Sequence, residues 1–271
     1  MKKQKAVYSI ILWVILLTFL FPIYWLICTS LKSPNDIFIM PPKLIFKIDI
    51  SGYIHVLTRS PMLKYMLNSF LVCTVSVAIA MFLGSMAAYA IDRYRFKWKK
   101  DLSFWIISIR MTPPMVSIIP LFFLIKAVGL YDTHIALIIL YLTFNLPFAV
   151  WMMRGYFSQV PVELDEAALV EGCNRFKVLF TILLPNVKAG AISTAIMSFI
   201  FSWNEFLFAF IMTGSNAKTV PVGIAGFITQ TGIRWNELTA AGTIILVPIL
   251  ILSLLAGKQF ISGLLEGAIK S

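Results

Sequence analysis

Residues 166–185 read EAALVEGCNRFKVLFTILLP, the one long hydrophilic interruption in the apolar second half of the chain. Three acids, Glu163, Asp165 and Glu166, stand just after Pro161. Proline at a first helical position followed by acids in the first turn predicts a helix start, because carboxylates complement the unpaired amides there. Ala167 and Ala168 favour helix and present almost no side chain, so another surface can approach closely. Gly172 supplies a left-handed stop. Asn174 can cap a second helix, in which Phe176, Leu179, Phe180 and Leu183 fall on one face, and Pro185 ends it. The expectation is two short helices at an angle, joined at Gly172. On physical grounds alone the same features also fit an ordinary loop between two membrane spans.

Composition narrows the class. Hydrophobic residues make up 59% of the 271 and charged ones 13%, which points to a polytopic membrane protein with all-α spans and excludes most soluble classes. The net charge of +11 lies in short basic runs beside apolar segments, with no aromatic-basic surface module, so membrane topology explains it better than nucleic acid does. Cys28, Cys73 and Cys173 show neither metal-ligand nor disulfide spacing and read as packing or bystander residues.

Apolar runs predict six spans within one membrane domain covering 1–271, at about 7–29, 65–91, 102–124, 135–153, 189–212 and 241–257, with the hydrophilic loop at 161–185. The first is too long for a signal-peptide core and is expected to be a retained helix. In the second, Ser76, Ala80, Gly84 and Ala88 form a small-residue stripe suited to close helix packing. The third is interrupted by Arg110, Pro113, Pro114 and Pro120. With the N-terminus inside, the inner side holds Lys2, Lys3, Lys5, five basic residues of DRYRFKWKKD (92–101), Arg154, Arg175, Lys177, Lys188, Lys258 and Lys270. The outer side holds Lys32, Lys43, Lys47, Arg59, Lys64, Lys126, Lys218 and Arg234. This bias predicts both termini in the cytoplasm and places 166–185 there too.

Glu166, Ala167, Ala168, Gly172, Ile182, Leu184 and Pro185 occupy every fixed position of the pattern EAA, three residues, Gly, nine residues, I-x-L-P. That stretch resembles the EAA loop of ATP-binding-cassette importer permeases. The resemblance extends to AAYAIDRYRF (87–96), RMTPP (110–114), SWNEFLFAFIMT (202–213), TVPVGI (219–224) and QFISGLLEGAIKS (259–271), and is similar to the carbohydrate branch, within it to the second permease subunit of maltose-type systems. Ser271 departs from the glycine more often found at that end. The resemblance implies a multi-pass subunit of a bacterial or archaeal inner membrane, forming half of a translocation pathway for a carbohydrate or polyol. The loop would be its coupling helix. The implied partners are a second homologous permease, two ATPase subunits that carry ATP and Mg2+, an extracytoplasmic solute-binding protein and the lipid bilayer.

Nothing in the chain itself reads as an enzyme. Gly257-Lys258 is followed by Gln259 without a glycine-rich approach, so no Walker A cradles phosphates. His55 and His134 fall in expected outer loops, read as solvated, and no metal or nucleophile constellation forms. Arg110 and Glu205 are charges inside spans, roughly 12 Å and 25 Å along them at 1.5 Å per residue. Groups at such depths face a cavity or a partner. Together with Asn145, Trp203 and Asn204 they are candidates for the substrate path; alternatively they anchor helices, Arg110 on carbonyls freed by its prolines. A related importer for another solute shares the EAA loop. An ion-coupled secondary transporter would show an internal repeat and several midplane carboxylates, and 1–135 does not echo 136–271.

Overall fold

The computed structural model describes residues 2–230 and 232–268, with side chains described for 7–230, 232–254 and 257. The terminal lysines of the charge count and the QFISGLLEGAIKS resemblance lie outside the described side chains, as do Lys258 and Gln259. Helices dominate: α1 (Lys2–Ser30), α2 (Ser51–Thr58), α3 (Met62–Arg93), α4 (Lys99–Met111), α5 (Pro114–Ala127), α6 (His134–Phe157), α7 (Val162–Val170), α8 (Arg175–Lys177), a π-helical stretch (Val178–Leu183), α9 (Leu184–Asn186), α10 (Lys188–Trp203), α11 (Leu207–Met212), α12 (Val220–Ala225) and α13 (Trp235–Ala268). Strands β1 (Ile228–Thr229) and β2 (Gly232–Ile233) pair as an antiparallel hairpin.

Among the described residues four helices are long and apolar enough to cross a membrane: Val7–Ser30, Met62–Arg93, His134–Phe157 and Trp235–Leu254. Two bent pairs raise the number to as many as six. The expected third span is one of them, α4 and α5 meeting at 90°. Thr112 and Pro113 are extended at the break, since a residue before proline is pushed out of the helical region and proline offers no amide. The other pair joins Arg175–Asn186 to Lys188–Trp203 at 88°. The expected fifth span is also interrupted by Asn204–Phe206, between α10 and α11. α13 starts six residues before the expected sixth span.

The chain divides into two compact units. One comprises Met1–Lys64 and Gly223–Pro248. Within it, the Ser30 hydroxyl lies 2.6 Å from that of Tyr53, and Lys32, 3% exposed, sits 5.1 Å from the rings of both Trp25 and Phe46. His55 is not simply solvated: its Nδ1 lies 3.2 Å from Glu237, which also accepts from Arg234. Gly52 lets α2 approach closely, because a Cβ there would meet Asn236 Oδ1 at 2.7 Å.

The other unit comprises Tyr65–Val222 and Ile249–Ser271. The small-residue stripe packs inward: Ser76, Ala80 and Ala88 are buried, and a Cβ on Gly84 would meet Ala149 of α6 at 2.7 Å. Gly190 of α10 likewise faces the Tyr156 ring. His134 also has a partner, its Nε2 lying 2.8 Å from Asn68 Oδ1. The Asn68 amide donates to the carbonyls of Asn216 and Lys218, and Ser69 accepts from the Val220 amide.

Asp132 organises the same end of this unit. It adopts φ 60°, a conformation aspartate tolerates, and its carboxylate accepts from the backbone amides of Gly214, Ser215, Asn216 and Ala217 at 2.8–3.1 Å. Burial works against ionisation, but the four amides outweigh it and hold the carboxyl below the ordinary aspartate range. A group so depressed adds stability above its unfolded pKa, lost as pH falls through the folded value. Asp132→Asn, which trades one acceptor oxygen for a donor facing amides, is expected to cost about 2 kcal/mol. Thermal unfolding in detergent between pH 3 and 7 checks this: the variant should unfold earlier at neutral pH and lose less stability on acidification.

Candidate functional site

The loop 161–186 is built from two capped arms. Pro161 precedes α7, with Glu163 and Asp165 in the first turn. At the far end Gly172 has φ +85°, its amide donates to the Leu169 carbonyl and that of Cys173 to the Ala168 carbonyl. That is the Schellman arrangement, in which only a left-handed residue lets both bonds form. A Cβ at Gly172 would meet nothing within 4 Å, so the requirement for glycine is purely one of backbone conformation. Two residues on, the Asn174 side chain accepts from the Lys177 amide at 2.8 Å and starts the second arm.

The second arm departs from the expected stripe. Residues Val178–Leu183 are π-helical and the Leu184 amide reaches back to Leu179. Pro185 explains this: it has no amide for the Thr181 carbonyl, and its ring crowds that carbonyl, so the turn widens. Pro185 therefore does not end the helix; it lies within α9, and the chain breaks at Val187. The extra residue rotates the buried face onto Val178, Leu179 and Leu183. Phe176 is left 52% exposed, stacked on Phe180, which stacks in turn on Phe82 of α3.

α7 has two distinct faces. Ala168, 5% exposed, joins a cluster with Ala88, Tyr89, Met153, Phe157, Val178, Leu179, Leu183 and Val187, with Ile182 and Leu184 packed at its edge. Glu166, Ala167 and Gly172 are exposed on the other side, near Val170. Sequence reasoning missed what holds α7 in place. Arg93, at the end of α3, donates from Nε to Asp165 at 2.8 Å, from Nη2 to the Val160 carbonyl at 2.8 Å and from Nη1 to Asp92 at 2.7 Å. In the sequence Arg93 is one of a basic run and Asp165 one of three helix-start acids, and no spacing pairs them.

The five candidates for the substrate path all belong to the helices around α6 and α10. Asn145 is fully buried and donates to the Ser202 hydroxyl at 2.7 Å. Trp203, 2% exposed, stacks on Phe199. Asn204 is exposed and donates to the Ile200 carbonyl. Glu205 accepts from the amides of Phe208 and Ala209 at 2.9 and 3.1 Å, so from the position before the N-cap Phe206 it satisfies the first free amides of α11. The Arg110 guanidinium lies 4.5 Å from the Phe148 ring centre and 4.9 Å from that of Phe201. Its partners are thus two aromatic faces, one from each helix, and not proline-freed carbonyls. Among the described residues no group of three or more His, Cys, Asp or Glu side chains is arranged to hold a metal ion.

Residues 80–264 match the family described as binding-protein-dependent transport system inner membrane component. The chain is 36% identical over 256 residues to the trehalose/maltose transport system permease protein MalG of Thermococcus litoralis, covering 93% of this chain and 91% of that one. It is 33% identical over 267 residues to a probable ABC transporter permease protein, y4oR, of Sinorhizobium fredii, covering 98% and 96%. A subunit in the crystal structure of a bacterial ABC transporter involved in the import of alginate shares the fold, with a TM-score of 0.79 at 20% identity over 95% of this chain and 96% of that one. The fold that frames the two-faced loop and the sequence agree, and the chain belongs to the binding-protein-dependent transport system inner membrane component family, as the membrane-embedded permease subunit of an ABC transporter.

Proposed function

We propose that this chain forms half of the translocation pathway of an ATP-driven importer for a carbohydrate or polyol, and that 161–185 couples it to ATP hydrolysis in a separate subunit. The observation that carries the coupling reading is the division of α7: Ala168 is anchored in the chain's own core while Glu166 and Ala167 stand exposed beside Val170. A helix anchored on one side and bare on the other is suited to receive a partner. In this reading Glu166 pairs with a basic or amide group of the ATPase and Ala167 seats in its groove. Ala168, Ile182, Leu184 and Pro185 act indirectly, by packing and bending the elbow, and Gly172 sets its angle.

The carbohydrate assignment draws on the relative named for trehalose and maltose and on the similarity over nearly the whole chain. The assembly would comprise this permease, a second homologous one, two ATPase subunits holding ATP and Mg2+, and an extracytoplasmic solute-binding protein. The membrane would be a bacterial or archaeal inner membrane, crossed six times with both ends of this chain in the cytoplasm. The substrate-path reading is best served by Arg110 and Asn204, which are exposed, while Asn145, Trp203 and Glu205 shape the wall by holding helices. The ligand retained by the co-purifying binding protein tests the solute class; an amino acid or an ion in its place would overturn the carbohydrate reading.

One substitution and one pair of substitutions test coupling. Gly172→Val forces a β-branched residue to positive φ, costing about 1–2 kcal/mol at the elbow. It is expected to leave the protein in the membrane and to reduce uptake at least tenfold relative to ATP hydrolysed. Ala167→Leu and Ala168→Leu should separate. The first leaves unfolding of the isolated permease unchanged and weakens ATPase co-purification. The second overpacks a filled core and lowers stability by about 1–3 kcal/mol. Equal behaviour of the two variants would count against the proposed docking face.

A further inference from the structure

We propose that Arg93 is a positioning residue for the transport cycle: it grips the first turn of α7 so that movement imposed on the elbow is delivered to α3. This rests on the reading of 161–185 as the ATPase contact. Three acceptors meet on the one guanidinium: Asp92 of its own helix, the Val160 carbonyl in the linker entering α7, and Asp165 in the first turn of α7. The Arg93 and Asp165 side chains are only 6% and 3% exposed. In such a site water competes weakly, and charge-assisted bonds are short and directional.

The geometry of the grip requires arginine. Nε and both terminal nitrogens are each committed to a different acceptor, and the planar fork fixes their directions together. A lysine presents its donors from a single nitrogen and cannot span the three positions. The following residue extends the same device to the other arm, since the Arg175 guanidinium lies 5.3 Å from the ring of Tyr94. Consecutive residues at the end of α3 thus hold both arms of the elbow. The apolar contacts between them involve Ala88 and Tyr89 of α3 with Ala168 and Leu179. Contacts of that kind resist separation but permit sliding; a buried ion pair has one register.

The test uses the complete reconstituted transporter carrying Arg93→Lys or Asp165→Asn. Both variants are expected to accumulate and to retain the ATPase subunits, with uptake reduced at least tenfold and ATP hydrolysis no longer dependent on solute. Spin labels at Glu163→Cys and Arg95→Cys, in a background lacking the native cysteines, should give a broader distance distribution in Arg93→Lys than in the parent. Asp165→Asn, which keeps the side-chain shape, carries the test if Arg93→Lys fails to accumulate. Wild-type uptake with solute-stimulated hydrolysis in both variants overturns the inference. So does loss of the ATPase subunits, which would make the pair a support for docking. If the parent transporter holds no ATPase, or Ala167→Leu leaves ATPase binding unchanged, the coupling reading itself fails, whatever Arg93 does.

Discussion

A bilayer interior has no water to satisfy a bare amide or carbonyl, so every irregularity in a span must find its partners inside the protein. The breaks in this chain follow that requirement. Where α10 stops short at Trp203, the Glu205 carboxylate turns back onto the first free amides of α11. Where α4 and α5 part, prolines at 113 and 114 remove amides that would otherwise lack acceptors. Buried hydroxyls serve the same end: Thr194, Ser202 and Thr213 each bond the carbonyl one turn back in the helix. These hydroxyls and the Glu205 carboxylate are thus accounted for by the backbone they serve. That is why Glu205 acts first as a partner to backbone amides.

The loop at 161–186 is held by a different kind of contact. Its rigidity comes from local devices stacked in sequence: a Schellman stop at Gly172, an Asn174 cap, and a widened turn before Pro185. Each fixes one short segment without help from distant residues. None of them fixes the elbow to the spans. That falls to the apolar cluster beneath Ala168 and to Arg93, which together tie the arms to α3 and α6.

Local chemistry was legible in the amino-acid sequence and long-range pairing was not. Gly172 and Asn174 could be read because their roles depend on neighbours within three residues. The small-residue stripe of α3 could be read because period and residue size suffice. The π-turn was missed, since a proline at a helix end signals termination as readily as widening, and with it the burial of Val178 in place of Phe176. The partners of Arg110 and Arg93 lie on helices far along the chain, and nothing in one sequence marks which of 23 basic residues meets which ring or carboxylate. The histidines were misjudged for the same reason, as the carboxylate facing His55 comes from residue 237.

The two alanines of the motif, identical in letter and adjacent in chain, answer to different genes. What can stand at 168 is decided by the residues of this polypeptide that press on it, so its variation should track positions such as 88 and 179. On the proposed docking, what can stand at 167 is decided by a surface encoded elsewhere. Across descendants of this transporter the first should drift together with its own chain, and the second in step with another subunit.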